Sequence, residues 1–235
     1  MQASSPDDRI IAAKVALGEP SAVVLVRRIE TLTGEFDKAA NRWASEVRYA
    51  VTTAERVAVS SSDTVVADTI ADLAAVAREA RAERCSIVVD ISEPGATFLK
   101  TLRERNVRAA PVVISDSLHV RADGRVWHLP SRELIAVALK LLAEKRIEVA
   151  DLEHAETLAQ QLEAFRTKAP PRDALSDWRP AAQVDLAQAL MVACWWSERM
   201  LRPIIRQPLP PRLPIEVKGV TFDQAVKMLR RQHDD

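Results

Sequence analysis

The sequence predicts an α/β fold, a mixed β-sheet with helices on its faces. Three observations point there. Two short runs rich in Val and Ile, SIVVDIS (86–92) and APVVIS (110–115), alternate with stretches of helical periodicity. Before them, two longer segments read as consecutive strands. Apolar residues make up 48% of the 235 residues, enough to bury a sizeable core in one domain.

The elements follow in order. Residues 1–8 read as a disordered tail. RIIAAKVALGEPSAVVLVRRIE (9–30) gives two apolar runs broken at Gly18-Glu19-Pro20, and its wealth of Val, Ile and Leu favours a strand hairpin. WASEVRYAVTTAERVAV (43–59) is a third strand candidate. Ser62 or Asp63 is placed to cap a helix reaching about Arg84, with Val66, Ile70, Leu73, Val76, Ala77 and Ala80 at helical spacing. The strand 86–92 carries Asp90 near its end. A helix then runs from about Pro94 to Arg105, proline being tolerated in a first turn.

After the strand 110–115, HVRADGRVWH (119–128) predicts a hairpin turning on Asp123-Gly124. That turn sets Val120 opposite Trp127 and His119 opposite His128. Helices fit 131–145 behind Ser131, 151–167 behind Asp151, and 181–201, with a short edge strand over 147–150. Beyond residue 202, PIIRQPLPPRLP (203–214) holds five prolines and excludes helix or central strand. Thr221 and Gln224 then have capping-box spacing before Phe222, Val226 and Leu229. The domain is therefore expected over 9–201, with a proline-rich arm and terminal amphipathic helix over 202–235. The arm offers a route to oligomers.

Composition narrows the function little. Lys+Arg and Asp+Glu balance at 33 each, so net charge favours no partner, although Arg supplies 25 of the basic residues. Cys85 and Cys194 fit no metal spacing and suggest a reducing compartment. The start MQASSPDD is not a signal peptide, and no apolar run reaches membrane-spanning length. The expectation is a soluble, cytoplasmic protein without membrane contact.

No P-loop, GxGxxG, HExxH or GxSxG motif is present. Two acids stand at meaningful places. Asp90 ends a buried strand, where open α/β sheets place ligands. Asp185 opens an apolar helix, QVDLAQALMVACWW. Convergent carboxylates suit Mg²⁺ or Mn²⁺. Taken singly, Asp90 reads first as a cap on the following helix and Asp185 as a favourable charge near a helix N-terminus, ahead of any metal role. His119 and His128 lack a third ligand and read as exposed hairpin positions. Arg103, Arg105, Arg108, Arg121 and Arg125 suit a phosphate backbone or an ordinary solvated surface. Trp195 and Trp196 read as core.

From about residue 86 to 201 the chain resembles the C-terminal nuclease domain of phage terminase large subunits. The resemblance is carried, in order, by SIVVDISEPGATFLKTLRERNV, by APVVIS followed by HVRADGRVWHLPSREL, by LEAFRTKA, and by VDLAQALMVACWW. It implies a ribonuclease H-like fold and DNA cleavage during genome packaging by clustered acids that hold Mg²⁺ or Mn²⁺. Several positions depart from the family's pattern. Where the family carries a first-strand Asp in a Val-Asp-x-Gly context, Val15-Ala16-Leu17-Gly18 puts Ala16 in the acid's place. The His-Asp-Asp triplet has become Gln183-Val184-Asp185. The glycine-rich turn after Asp90 reads Ser92-Glu93-Pro94-Gly95.

Together these imply a phage or prophage terminase-nuclease-like domain that is catalytically degenerate, a pseudoenzyme serving DNA packaging by binding double-stranded DNA or packaging proteins. The competing enzyme reading is an active Mg²⁺- or Mn²⁺-dependent endonuclease using Asp90 and Asp185 as catalytic and metal-binding acids, with Glu19 as a further metal ligand. Arg121 and Arg125 are the candidate nucleic-acid contacts in either case. A third reading is a protein-assembly module without a DNA role.

Overall fold

The computed structural model describes residues 7–37, 42–59, 62–80, 82, 84–167 and 184–201. The arm expected over 202–235, with its terminal helix, lies outside them. The chain divides into two units, one of residues 1–31 with 46–205 and the other of 32–45 with 206–235. In the second unit the rings of Phe36 and Trp43 meet edge-on at 5.5 Å, and the Thr33 hydroxyl donates to the Ala44 carbonyl.

The first unit is built on an eight-stranded sheet. Its strands are β1 (Asp7–Lys14), β2 (Ser21–Asp37), β3 (Arg42–Val57), β4 (Arg84–Asp90), β5 (Ala110–Ser115), β6 (Arg121–Asp123), β7 (Val126–Pro130) and β8 (Ile147–Val149). The spatial order is β6-β7-β5-β4-β1-β2-β3-β8. β1 runs antiparallel to β2 and parallel to β4, β4 parallel to β5, and β5 parallel to β7. A β3-β2-β1-β4-β5 core in which only the early strands reverse direction is the ribonuclease H-like arrangement. The mixed sheet expected from the sequence is therefore present, and the short edge strand over 147–149 pairs parallel with β3.

Helices cover both faces: α1 (Asp63–Glu79), α2 (Ala96–Glu104), α3 (Ser131–Ala143), α4 (Ala155–Thr167) and α5 (Asp185–Met200). Side chains alternate across each strand and so divide two cores. Ile11, Ala13, Val23, Leu25 and Val89 pack under α1 and α2, against Val66, Ile70, Phe98 and Leu102. Ile10, Ala12, Val24, Val26, Val88 and Val112 pack on the other face, with α3, α4 and α5. α5 is apolar from 189 to 196 because it is enclosed there: β1 and β4 lie on one side, α3 and α4 on the other. Ala187, Ala189 and Ala193 are fully buried and let it lie close to its neighbours. Trp195 fills the core and donates its indole N–H to Glu133 of α3.

Three expectations are corrected. The hairpin pairs Arg121 with His128, Ala122 with Trp127 and Asp123 with Val126. The two-residue loop is thus Gly124-Arg125, one step later than expected, and His119 does not face His128. Gly124 has φ +58° while Arg125 is not among the positive-φ residues, so glycine occupies the first loop position, as a type II′ turn requires. α2 begins after Pro94, since Gly95 at its N-cap has φ +64°, a conformation outside the helix. α4 begins at Ala155 rather than behind Asp151, and the Ala155 N–H donates back to the Leu152 carbonyl in the turn that leads into it. No helix among the described residues is long and apolar enough to cross a membrane.

Trp195→Ala should cost about 3–5 kcal/mol, since it deletes a large side chain from between α5 and α3 and also orphans its bond to Glu133. Urea unfolding measures this, and a loss below about 1 kcal/mol would show that the α5 core is loosely packed.

Candidate functional site

β4 delivers Asp90 to its C-terminal end, where the strand stops and the chain turns into 91–95. The side chain is 2% exposed. Its Oδ1 accepts from the Ser92 N–H (3.0 Å) and the Ser92 hydroxyl, closing an Asx-type turn, and its Oδ2 accepts from the Gln188 amide of α5 (2.8 Å). The Ser92 hydroxyl in turn accepts from Ile114 N–H on β5. Burial pushes the Asp90 carboxyl above the ordinary range, while the bonds from Ser92 and Gln188 and the charge of Lys14 pull it part of the way back.

Asp185 is the first residue of α5 and is likewise 2% exposed. Arg56 of β3 holds it in a fork, Nε to Oδ2 at 2.7 Å and a terminal nitrogen to Oδ1 at 3.3 Å. Gln161 of α4 donates its amide to Oδ1 at 2.8 Å and accepts from the Ala187 N–H at 2.9 Å. The amide therefore serves the carboxylate and one of the free N–H groups of the helix start together. Gln188 lies one turn beyond Asp185, so α5 brings both acids to the C-terminal ends of the strands it crosses.

Ala16, where the resemblance puts the family's first-strand acid, lies two residues beyond β1. The residue in register with Asp90 across the β1–β4 pairing is Lys14. Its ammonium is 3.1 Å from Glu19, on the turn joining β1 to β2. Glu93 accepts from the Leu17 N–H of the same turn. Of the sequence-derived candidates, Asp185 opens α5, Asp90 is bonded by Gln188 one turn along that helix, and Glu19 stands beside Lys14. Arg121 and Arg125 are exposed on the hairpin at the far edge of the sheet. Lys14, Arg56, Gln161 and Gln188 carry no signal of their own in the sequence.

A divalent metal such as Mg²⁺ or Mn²⁺ needs carboxylate oxygens open to it and converging. Both oxygens of Asp90 and both of Asp185 already accept from protein donors, and each acid has a cationic side chain beside it. Among the described residues, no group of three or more His, Cys, Asp or Glu is placed to hold a metal. The donor set does not fit the two-metal centre that the resemblance implies.

No protein-family model matches the chain, and no curated protein matches it. Solved structures do. The human cytomegalovirus terminase nuclease domain aligns with a TM-score of 0.49 at 11% identity, over 83% of this chain and 86% of that one. The large terminase of a thermophilic bacteriophage aligns at 0.46 and 9% identity, over 81% of this chain and 40% of that one. The P22 large terminase nuclease domain aligns at 0.39 and 10% identity, over 69% and 70%. The assignment of the fold rests on strand order and direction.

Arg56→Gln should strand Asp185 as a buried charge and cost about 3 kcal/mol, near the low end for a broken buried pair because Arg56 is partly exposed. Adding Asp185→Asn should recover part of that loss. Denaturant melts test both, and a single-variant loss under about 1 kcal/mol would make the fork energetically idle.

Asp90 sets a pH dependence whose sign is fixed. A raised pKa in the fold means that the native state holds the proton more tightly than the unfolded chain. Its share of stability is therefore greatest below the ordinary carboxylate range and falls as pH rises through the interval up to the raised value. Asp90→Asn should flatten this part of a stability profile taken from about pH 4 to neutrality. An unchanged slope in the variant would assign the effect to other groups.

Proposed function

We propose that the chain is a terminase-nuclease-like module whose hydrolytic centre is degenerate, and that it serves DNA packaging by binding rather than by cutting. Support comes from the ribonuclease H-like strand order and from four sequence stretches that resemble phage terminase nucleases in the same order along the chain. The single observation that carries the loss of activity is the Arg56 fork on Asp185, backed by Gln161. With three donors on its two oxygens, two of them from a guanidinium, this carboxylate has its charge already offset and is a poor ligand for a metal. Hydrolysis of a phosphodiester by paired metals needs acids that hold the ions about 3.5–4 Å apart.

Binding in this reading falls to Arg121 and Arg125, whose exposed guanidinium groups suit phosphate oxygens. Two arginines on a chain without net charge release few counterions, so affinity should be modest and its salt slope shallow.

Metal-dependent nicking of plasmid DNA, run beside a mobility-shift titration, tests the reading. With Mg²⁺ or Mn²⁺ neither the wild type nor Asp90→Ala should nick above background. Replacing Arg121 and Arg125 by Ala should weaken DNA binding at low salt and reduce its salt slope by about 2. Robust wild-type cleavage abolished by Asp90→Ala would overturn the reading in favour of a working endonuclease, with Glu19 the next ligand to test. Absence of DNA binding even at low salt would favour the assembly module.

A further inference from the structure

Lys14 is an unexpected residue for its position. It closes β1, sits inside the otherwise apolar run Ile10–Leu17, and is only 7% exposed. Lysine is seldom buried this far without opposite charges to hold it. Two carboxylates are at hand. Glu19 accepts directly from the ammonium. Asp90 is its register partner on the neighbouring parallel strand. Both Lys14 and Asp90 belong to the α5 face of the sheet, sharing the alternation of Ile10, Ala12 and Val88 in that core. Asp90 receives its hydrogen bonds from neutral groups, Ser92 and Gln188, and Lys14, in register with it on the same face, is the cation facing it from β1.

We propose that the Lys14 ammonium takes the place of a divalent cation at the C-terminal ends of β1 and β4, bonding Glu19, offsetting the charge of Asp90 and keeping Mg²⁺ or Mn²⁺ away from both. This deepens the degenerate reading above and rests on it for the identity of the cation displaced. With Lys14 the three groups carry one net negative charge. With a neutral residue at position 14 they carry two, which matches a divalent ion.

The test uses thermal melts of the full chain with Mg²⁺ or Mn²⁺ titrated in, for the wild type, Lys14→Gln and Lys14→Arg. The wild type and Lys14→Arg should show no saturable shift. Lys14→Gln should melt lower than the wild type without metal and gain a saturable rise of about 2–4 °C with Mn²⁺. Adding Asp90→Asn to Lys14→Gln should abolish that rise. A wild-type shift as large as that of Lys14→Gln would overturn the proposal, as would a Lys14→Gln variant that neither loses stability nor responds to metal. If Lys14→Gln folds under neither condition, Mn²⁺ binding to the wild type, read by water-proton relaxation, decides: stoichiometric binding lost in Asp90→Asn overturns the proposal, and no binding together with a folded Lys14→Arg sustains it. Nicking takes no part in these readouts. A wild type that holds Mn²⁺ through Asp90 yet leaves DNA intact would sink this inference alone, whereas a wild type that cuts DNA would sink the functional reading.

Discussion

The Arg56–Asp185–Gln161 contact is the constraint from which the rest of the first unit is laid out. A carboxylate in the first turn of a helix is favoured by the helix dipole and by the free N–H groups there. Here it is also tied to β3 through Arg56 and to α4 through Gln161, so the start of α5 is fixed from two directions. Once that end is fixed, the period of the helix sets its other contacts. Gln188 reaches Asp90 one turn along, and Trp195 meets Glu133 of α3 two turns further. At the distal end, Ser197 and Glu198 both bond the buried Tyr49 hydroxyl of β3, and Arg146 closes on Glu198 at 2.7 Å. Such a helix can be apolar along most of its length because polar contacts at its two ends position it.

The same logic governs β1, the strand at the centre of the sheet. Its interior is aliphatic, and aliphatic strands resist a register slip only through which face their side chains take. Charges at both ends add a sharper criterion. Asp8, fully buried, is the register partner of Arg28 on β2 and of Arg84 on β4. Arg84 grips it with two bonds, at 2.9 and 2.6 Å, and Arg28 lies 3.7 Å away while also bonding Glu30. At the far end Lys14 stands in register with Asp90, its ammonium bonded to Glu19. A one-residue slip of β1 would part the buried Asp8 from its arginines, and breaking a buried pair costs about 3–5 kcal/mol. Buried ion pairs often add little net stability over apolar side chains of the same volume. Their contribution here is to the choice of register.

Much of this is legible in the sequence, and the exceptions have a common cause. Strands 110–115 and 147–149 and helices α1, α3 and α5 follow directly from local composition and period. Asp90 and Asp185 stand out because each is an acid bordering an apolar run. Lys14 does not stand out, since a lone lysine in IIAAKVAL gains its meaning only from a residue 76 positions away on a neighbouring strand. Arg56, Gln161 and Gln188 are ordinary polar residues of an amphipathic strand and two helices until the fold sets them beside a carboxylate. The hairpin turns one position later than its sequence suggests because Asp-Gly and Gly-Arg both offer a two-residue loop. Which is used depends on where glycine must take a positive φ, and neighbouring strands decide that. Sequence patterns of this kind locate charges well and locate their partners poorly.

The internal cations bear on what such a domain can still do. In an open sheet the C-terminal ends of parallel strands form the usual ligand crevice. Here those of β1 and β4 hold Lys14 and Asp90, with Glu19 on the adjoining turn and Gln188 above, so polar groups that would otherwise meet a ligand are satisfied by one another. A metal centre assembles only when its ion is present, whereas Lys14 and Arg56 are covalently part of the chain and leave the fold independent of ion supply. On the proposed reading that independence sacrifices Lewis-acid chemistry, because an ammonium or guanidinium donates hydrogen bonds but does not bind and activate water as a metal does. On the degenerate reading, contact with nucleic acid falls to the outside of the sheet. The β6–β7 hairpin suits this: it lies at the sheet edge, its loop is short and fixed by Gly124, and Arg121 and Arg125 stand exposed on it. Two arginines on a chain of zero net charge give attraction that acts at short range and is readily screened by salt. On this reading the domain is suited to being placed on DNA by partners more than to finding DNA by itself.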